Sequence, residues 1–292
     1  HLTYPSAQHS RFEHSLGVMH IATEAGFALN EKGFLNSDDV QILRLAGLLH
    51  DIGHGPFSHL FEEVIQDKKT SHEDYGKKII LNSEIGDVLS KTGFDKKLIA
   101  QIAFGESKFQ YLNEIISGSL SADMMDYLLR DGYFTGAEHA KVDHKRITQS
   151  LSIHKKKIAL ELSALYSYES MMHSRYQMFK AVYFHKTVRA AEVMLIQALR
   201  LSDDEFGFSS FNLDEFVKLT DEFVLSSIIS SKSSKLKRAR QLTENYQNRK
   251  LLKCVFERIF TSQTNLKKTR TDELRLELSK KSKIDENEIF VD

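Results

Sequence analysis

Two prolines, Pro5 and Pro56, are all that this chain of 292 residues carries, so nothing of that kind interrupts a helix after residue 56. Proline inside a helix removes a backbone donor and clashes with the preceding turn, so its scarcity points to a helix-rich fold. The spacing of apolar residues agrees. Ser37-Asp38-Asp39 reads as a helix start, a capping residue with acids in the first turn. The stripe Ile42, Leu45, Leu49, Ile52 follows, and Gly53 and Gly55 end it. Ser71 with Asp74 three residues on reads as a capping box opening a helix over 72–81. Further helices are expected over 109–130, stopping at Gly132, and over 164–201, the longest. The exception is 147–162, where apolar residues alternate around Lys155-Lys156-Lys157, the pattern of a β-hairpin. The spacing therefore predicts a mainly α fold with one small β-hairpin and a helical C-terminal extension. One domain is expected over 1–202 and a helical region over 203–292. The serine-rich stretch 226–234 is expected as a hinge, and 284–291 as a strand.

No stretch approaches the roughly 20 consecutive apolar residues needed to span a bilayer. Cys254 is the single cysteine, which excludes an internal disulfide and a multi-cysteine zinc cage and favours a reducing, cytoplasmic setting. The chain begins at His1 rather than Met, so it is expected to be an excerpt of a longer protein. Net charge is zero but uneven: residues 231–283 hold 16 lysines and arginines against 5 acids. Such a segment suits solvated helix faces and contacts between subunits, or contact with phosphates or nucleic acid.

Chemistry concentrates in His50-Asp51-Ile52-Gly53-His54-Gly55-Pro56-Phe57-Ser58-His59. Neighbours on a helix point about 100° apart, so His50 and Asp51 can share an ion only near a helix end, which the glycines supply. Imidazole and carboxylate ligands together suit Mn, Fe, Mg, Zn or Ni, without choosing among them. The pair lies 36 residues after His14 and 72 before Asp123, within Arg11-Phe12-Glu13-His14-Ser15 and Ser121-Ala122-Asp123-Met124-Met125-Asp126-Tyr127. Asp126 competes with Asp123 for the same side of its helix but can also pair with Arg130 four residues on.

The order His … His-Asp … Asp resembles the HD superfamily of metal-dependent phosphohydrolases, and the surrounding blocks are similar to its deoxynucleoside triphosphate triphosphohydrolases. That resemblance implies His14, His50, Asp51 and Asp123 as metal ligands. It implies His59 as the histidine that protonates the leaving oxygen, with Glu62 orienting it, and His54 and His72 on the phosphate side. Histidine suits proton transfer because its ordinary pKa lies near neutrality. Arg11 matches a phosphate-contacting arginine, and Arg175 and Tyr183 match nucleotide contacts. Tyr127 and Asp131 match the residues that hold the deoxyribose. Asp123, Tyr127 and Asp131 also share a helix face at i, i+4 and i+8. Four positions depart from the vertebrate members: Met124 replaces a phosphate-binding lysine, Ser121 an aspartate, Phe179 a histidine and Phe184 a glutamine.

The implied reaction is attack of hydroxide on the α-phosphorus of a deoxynucleotide, giving a deoxynucleoside and inorganic triphosphate. A divalent metal ion is the implied cofactor. The nearest rival is a phosphohydrolase of the same superfamily acting on nucleoside monophosphates or another phosphate ester. A rival of another class is a nucleic-acid-binding or regulatory module that uses the basic segment. Arg249-Lys250-Leu251-Leu252-Lys253 loosely resembles the family's assembly and effector region, so a homo-oligomer and a nucleotide effector are expected.

Overall fold

The computed structural model describes residues 2–65, 71–255 and 268–291. The first helix, α1 (Arg11–Glu31), is followed by α2 (Ser37–Leu49), α3 (His59–Ile65), α4 (His72–Asn82), α5 (Glu84–Lys91) and α6 (Lys96–Ala103). Next come α7 (Gln110–Ser117), α8 (Ala122–Thr135), α9 (His144–Gln149), and a hairpin of β1 (Leu151–His154) and β2 (Lys157–Leu160). α10 (Leu165–Met178) runs through a π turn (Phe179–Tyr183) towards α11 (Lys186–Phe206). The chain ends with α12 (Leu213–Phe216), α13 (Asp221–Ser230), α14 (Lys237–Gln247) and α15 (Lys268–Ser282). The fold is mainly helical. Its antiparallel hairpin pairs Leu151 with Leu160 and His154 with Lys157, and Lys155 and Lys156 take left-handed φ at the turn. Among the described residues no helix is long and apolar enough to cross a membrane.

Local chemistry explains most boundaries. α1, α2 and α4 each start with a full capping box: Ser10 with Glu13, Asn36 with Asp39, and Ser71 with Asp74. The cap of α2 is thus Asn36 and not Ser37, because the Asn36 amide oxygen reaches the Asp39 N–H. The expected helix over 109–130 is two helices. Gly118 breaks it, in extended backbone packed on the Glu114 carbonyl, and Ser121 caps the restart with a bond from the Met124 N–H. α8 then runs past Gly132 to a left-handed cap at Gly136. The expected helix over 164–201 is divided by the π turn and by His185, whose ring accepts from the Thr187 N–H. Ser226, Ser227 and Ser230 lie inside α13 and bond back to carbonyls four residues earlier, so the loop there is only the stretch after Ser230. The expected terminal strand is absent. Glu286–Glu288 forms a short 3-10 turn, with no strand edge beside it among the described residues, while Phe290 packs inward.

Most of the core is one cluster built from α1, α2, α6, α7, α8 and α10, including Val18, Leu29, Leu43, Ile102, Ile116 and Leu128. Gly47 lets α2 approach the backbone of α1 at Val18 and Met19. A second cluster joins Phe61, Val64 and Tyr75 to Leu199, Phe208, Phe216, Val224 and Leu236. It buries the far sides of α3 and α4 against the C-terminal helices. In the basic segment Arg238 faces Glu288 at 3.5 Å, Lys281 faces Glu277 at 2.6 Å, and Leu251 and Leu252 pack on Met194, Ala198 and Leu242. Its residues 256–267 lie outside those described.

Candidate metal centre and its histidine flank

The capping box at Ser10 starts α1 so that Arg11 and His14 occupy its first turn, while α2 stops at Leu49 with His50 as its C-cap. Asp123 sits in the first turn of α8. His14, His50 and Asp123 each bring one ligand atom to a point where all lie within 4.8 Å of one another. His14 Nε2 is 3.1 Å from Asp123 Oδ1, and His50 Nε2 is 3.8 Å from the same oxygen. Asp51 stands beside them, 3.4 Å from His50 Nε2 and 3.7 Å from His14 Nε2. Its oxygens are also held by the Arg11 guanidinium and, at 3.3 Å, by His54 Nε2.

Both imidazoles are aimed from behind. His50 Nδ1–H donates to the Gly47 carbonyl at 2.8 Å, which aims Nε2 inward, where it is buried and has no hydrogen-bond partner among the described residues. A buried imidazole nitrogen left without a hydrogen-bond partner beside two carboxylates fits a cation site. His14 Nδ1 donates to Asp126 at 2.7 Å, and Arg130 pins that carboxylate with bonds of 2.8 and 3.0 Å. Asp126 therefore makes the expected pair with Arg130 and also braces His14, a double role the sequence did not disclose. Gly17 makes room for it, since a Cβ there would fall 1.8 Å from Asp126 Oδ1.

The electrostatics are those of a place built for positive charge. Burial alone would lower the His14 pKa, but bonds to Asp123 and Asp126 outweigh it and raise the value to about 9. Burial would raise Asp123, yet the two imidazoles bring it down to about 2. Asp51 is held well below the carboxylate range by His54, His50 and Arg11 against its own burial. His54 goes the other way: burial, reinforced by Arg11, lowers it to about 4 despite Asp51.

From Asp51 a line of histidines leads outward. His54 stacks on His72 with centroids 4.1 Å apart and meets His59 edge-on at 4.9 Å. Glu62 touches both outer rings, His72 Nδ1 at 2.8 Å and His59 Nδ1 at 3.4 Å, so its closer partner is His72 and not the histidine it was expected to orient. His59 is 72% exposed at the mouth. The turn carrying these groups is tight. Phe57 and Ser58 both adopt left-handed φ, uncommon for any residue but glycine and a store of strain. Arg11 Nε bonds Ser58 Oγ at 2.7 Å, and the Phe57 N–H bonds Asp221 Oδ1 at 2.9 Å. Gly53 touches the start of α4, where a Cβ would lie 2.0 Å from the His72 carbonyl oxygen.

Beside the three converging side chains, Tyr183 donates its hydroxyl to Asp131 at 2.6 Å, Tyr127 meets Tyr183 edge-on at 6.3 Å, and Arg175 lies 5.6 Å over the Phe179 ring. Burial, with Asp131 next to it, raises the Tyr183 phenol far above its ordinary value, so it stays a donor. Met124, at the position of the missing lysine, is buried. One further residue, His9, binds Asp131 through Nε2 at 2.9 Å. It lies in a loop before α1, where no periodicity could flag it.

The sequence matches the HD domain over residues 11–131 and the HD associated region over residues 142–292. Among curated proteins it is 41% identical to the uncharacterised protein MJ1154 of Methanocaldococcus jannaschii, over 68% of this chain and 41% of that one. It is 34% identical to the uncharacterised protein YwfO of Bacillus subtilis, over 77% of this chain and 56% of that one. It is 32% identical to the deoxynucleoside triphosphate triphosphohydrolase SAMHD1 homolog of Dictyostelium discoideum, over 89% of this chain and 53% of that one. The chain thus spans about half the length of these relatives. The crystal structure of a phosphohydrolase from Bacteroides thetaiotaomicron superposes with a TM-score of 0.74 at 29% identity, over 98% of this chain and 74% of that one.

Proposed function

Since this chain belongs to the HD family, with both the HD domain and the HD-associated region, we propose that it is a divalent-metal-dependent phosphohydrolase that splits deoxynucleoside triphosphates into deoxynucleoside and triphosphate. The observation that carries this reading is the convergence of His14, His50 and Asp123, with His50 Nε2 buried and unpartnered among the described residues. These three would hold the ion, with Asp51 as fourth ligand once its carboxylate shares itself between the ion and Arg11. When bound, a divalent cation polarises a phosphoryl oxygen and lowers the pKa of a water.

The chain's own groups do the rest. Arg11 and the stacked pair His54 and His72 line the side on which phosphate oxygens would lie. Glu62 fixes His72 and steadies His59. His59, open to the mouth, protonates the 5′ oxygen as its bond to the α-phosphorus breaks. Asp131, with Tyr183 and His9 bonded to it, accepts a sugar hydroxyl, and Tyr127 packs beside the ring. A reading with a smaller substrate, a nucleoside monophosphate or another phosphate ester, is favoured by one observation: buried Met124 brings no cation where a triphosphate would want one.

Product analysis decides between them. Purified protein is incubated with each of the four deoxynucleoside triphosphates, and with monophosphates, in Mn, Fe, Mg, Zn or Ni. Triphosphate release is the expected result. Orthophosphate release from monophosphates alone would transfer the assignment to the second reading, and no release from anything would remove both.

A further inference from the structure

Residues 4–9 lie across the C-terminal end of α8 and the π turn. The Tyr4 hydroxyl donates to the Ala181 carbonyl at 2.7 Å, and the Ser6 hydroxyl donates to the Phe134 carbonyl. The His9 ring stacks on Phe134, with centroids 4.8 Å apart and planes 28° from parallel. That stack points Nε2 at Asp131 Oδ1, 2.9 Å away, while the Tyr183 hydroxyl holds Oδ2 at 2.6 Å. A carboxylate only accepts, so His9 Nε2 carries the shared proton. Nδ1 is buried and has no hydrogen-bond partner among the described residues, so nothing else competes to orient the ring.

Asp131 is therefore gripped from both sides, by the segment before α1 and by the turn after α10. Two fixed donors set the plane of the carboxylate and leave each oxygen one further acceptor direction. We propose that His9 is a positioning residue: by fixing Asp131 it makes the pocket select a ligand that offers a hydroxyl donor over an analogue that lacks one. A site built to bond a hydroxyl discriminates this way because its polar group is stranded when the hydroxyl is missing. The inference rests on the deoxynucleotide reading above and adds a residue that neither the ligand pattern nor the family resemblance assigned.

The test compares a 2′-deoxynucleoside triphosphate with its 2′,3′-dideoxy analogue in the parent protein, His9→Ala and His9→Gln. In His9→Ala, KM for the deoxy substrate should rise about tenfold, the loss of one strong hydrogen bond. kcat and the KM of the dideoxy analogue should hardly move. In His9→Gln, whose amide can still donate to Asp131, most of the preference should return. If His9→Ala does not fold, His9→Phe keeps the stack on Phe134 without the donor and carries the same comparison. Equal loss toward both substrates, an unchanged preference, or no rescue by glutamine would make His9 a packing residue only. A parent protein that turns over no deoxynucleoside triphosphate removes the deoxynucleotide reading and this inference with it. An active parent whose His9 variants keep its preference removes this inference alone.

Discussion

At the scale of single residues, His14 has two faces, one turned to the shared oxygen of Asp123 and the other to Asp126. Removing the brace should cost more than its distance from the chemistry suggests. Asp126→Ala is expected to weaken divalent-metal binding by about 10–100-fold with little change in fold, read by calorimetric titration of the metal-free protein. Affinity equal to the parent's would show that Asp126 serves Arg130 alone. The same contacts set how metal-free stability depends on pH. His14 is raised from 6.5 to about 9, so its contribution is full below pH 6.5 and is lost as pH rises through 9. Asp123 is lowered from 3.8 to about 2, so its contribution stands above pH 3.8 and is lost as pH falls through 2. His54, lowered from 6.5 to about 4, withdraws stability as pH falls from 6.5 towards 4, because the unfolded chain takes up a proton that the folded one refuses. These three place the optimum near pH 6.5, checked by urea unfolding in chelator across the range. Stability still climbing at pH 9 would contradict the His14 assignment. The candidate ligands were legible because His14, His50, Asp51 and Asp123 follow a recognisable order, in the first turns of α1 and α8 and at the end of α2. Asp126 was read as a rival of Asp123 and a partner of Arg130 but not as the brace of His14, since a contact to a residue 112 positions away has no local signature.

At the scale of elements, the bend after α2 meets the start of α4 at Gly53 through close backbone contact, with no room for a side chain. Gly53→Ala would push a methyl group into the His72 carbonyl and the Gly76 N–H, parting His54 from His72. Phosphohydrolase turnover should fall about 100-fold, as for a displacement near 1 Å, while metal content persists because His14, His50 and Asp123 do not depend on that contact. A folded Gly53→Ala protein with parent turnover would show that the stacked histidines are dispensable. Capping residues made starts such as Ser71 readable in advance. Interruptions were harder: the π turn at Phe179–Tyr183 contains neither glycine nor proline, and it forms where tertiary packing carries Tyr183 to Asp131. For the same reason the apolar residues of 284–291 read as a strand, although among the described residues no sheet edge receives one.

For the whole molecule, the second apolar cluster decides how the two halves depend on each other. Phe208 is 2% exposed in it, packed with Phe61 and Tyr75 of the site-bearing half. Phe208→Ala is expected to cost about 3–5 kcal/mol, with probes in α4 and α14 losing structure at the same lowered urea concentration. Two separate transitions would mean that the halves fold independently.

The bond from the Phe57 N–H to Asp221 has a consequence for how such proteins diversify. A carboxylate from the C-terminal half secures the bend on which His59 is mounted, so exchanging that half between relatives would retune turnover even with every ligand left in place. On the proposed reading, a graft that ignores Asp221 would carry the candidate metal residues and lose the tie that steadies the bend.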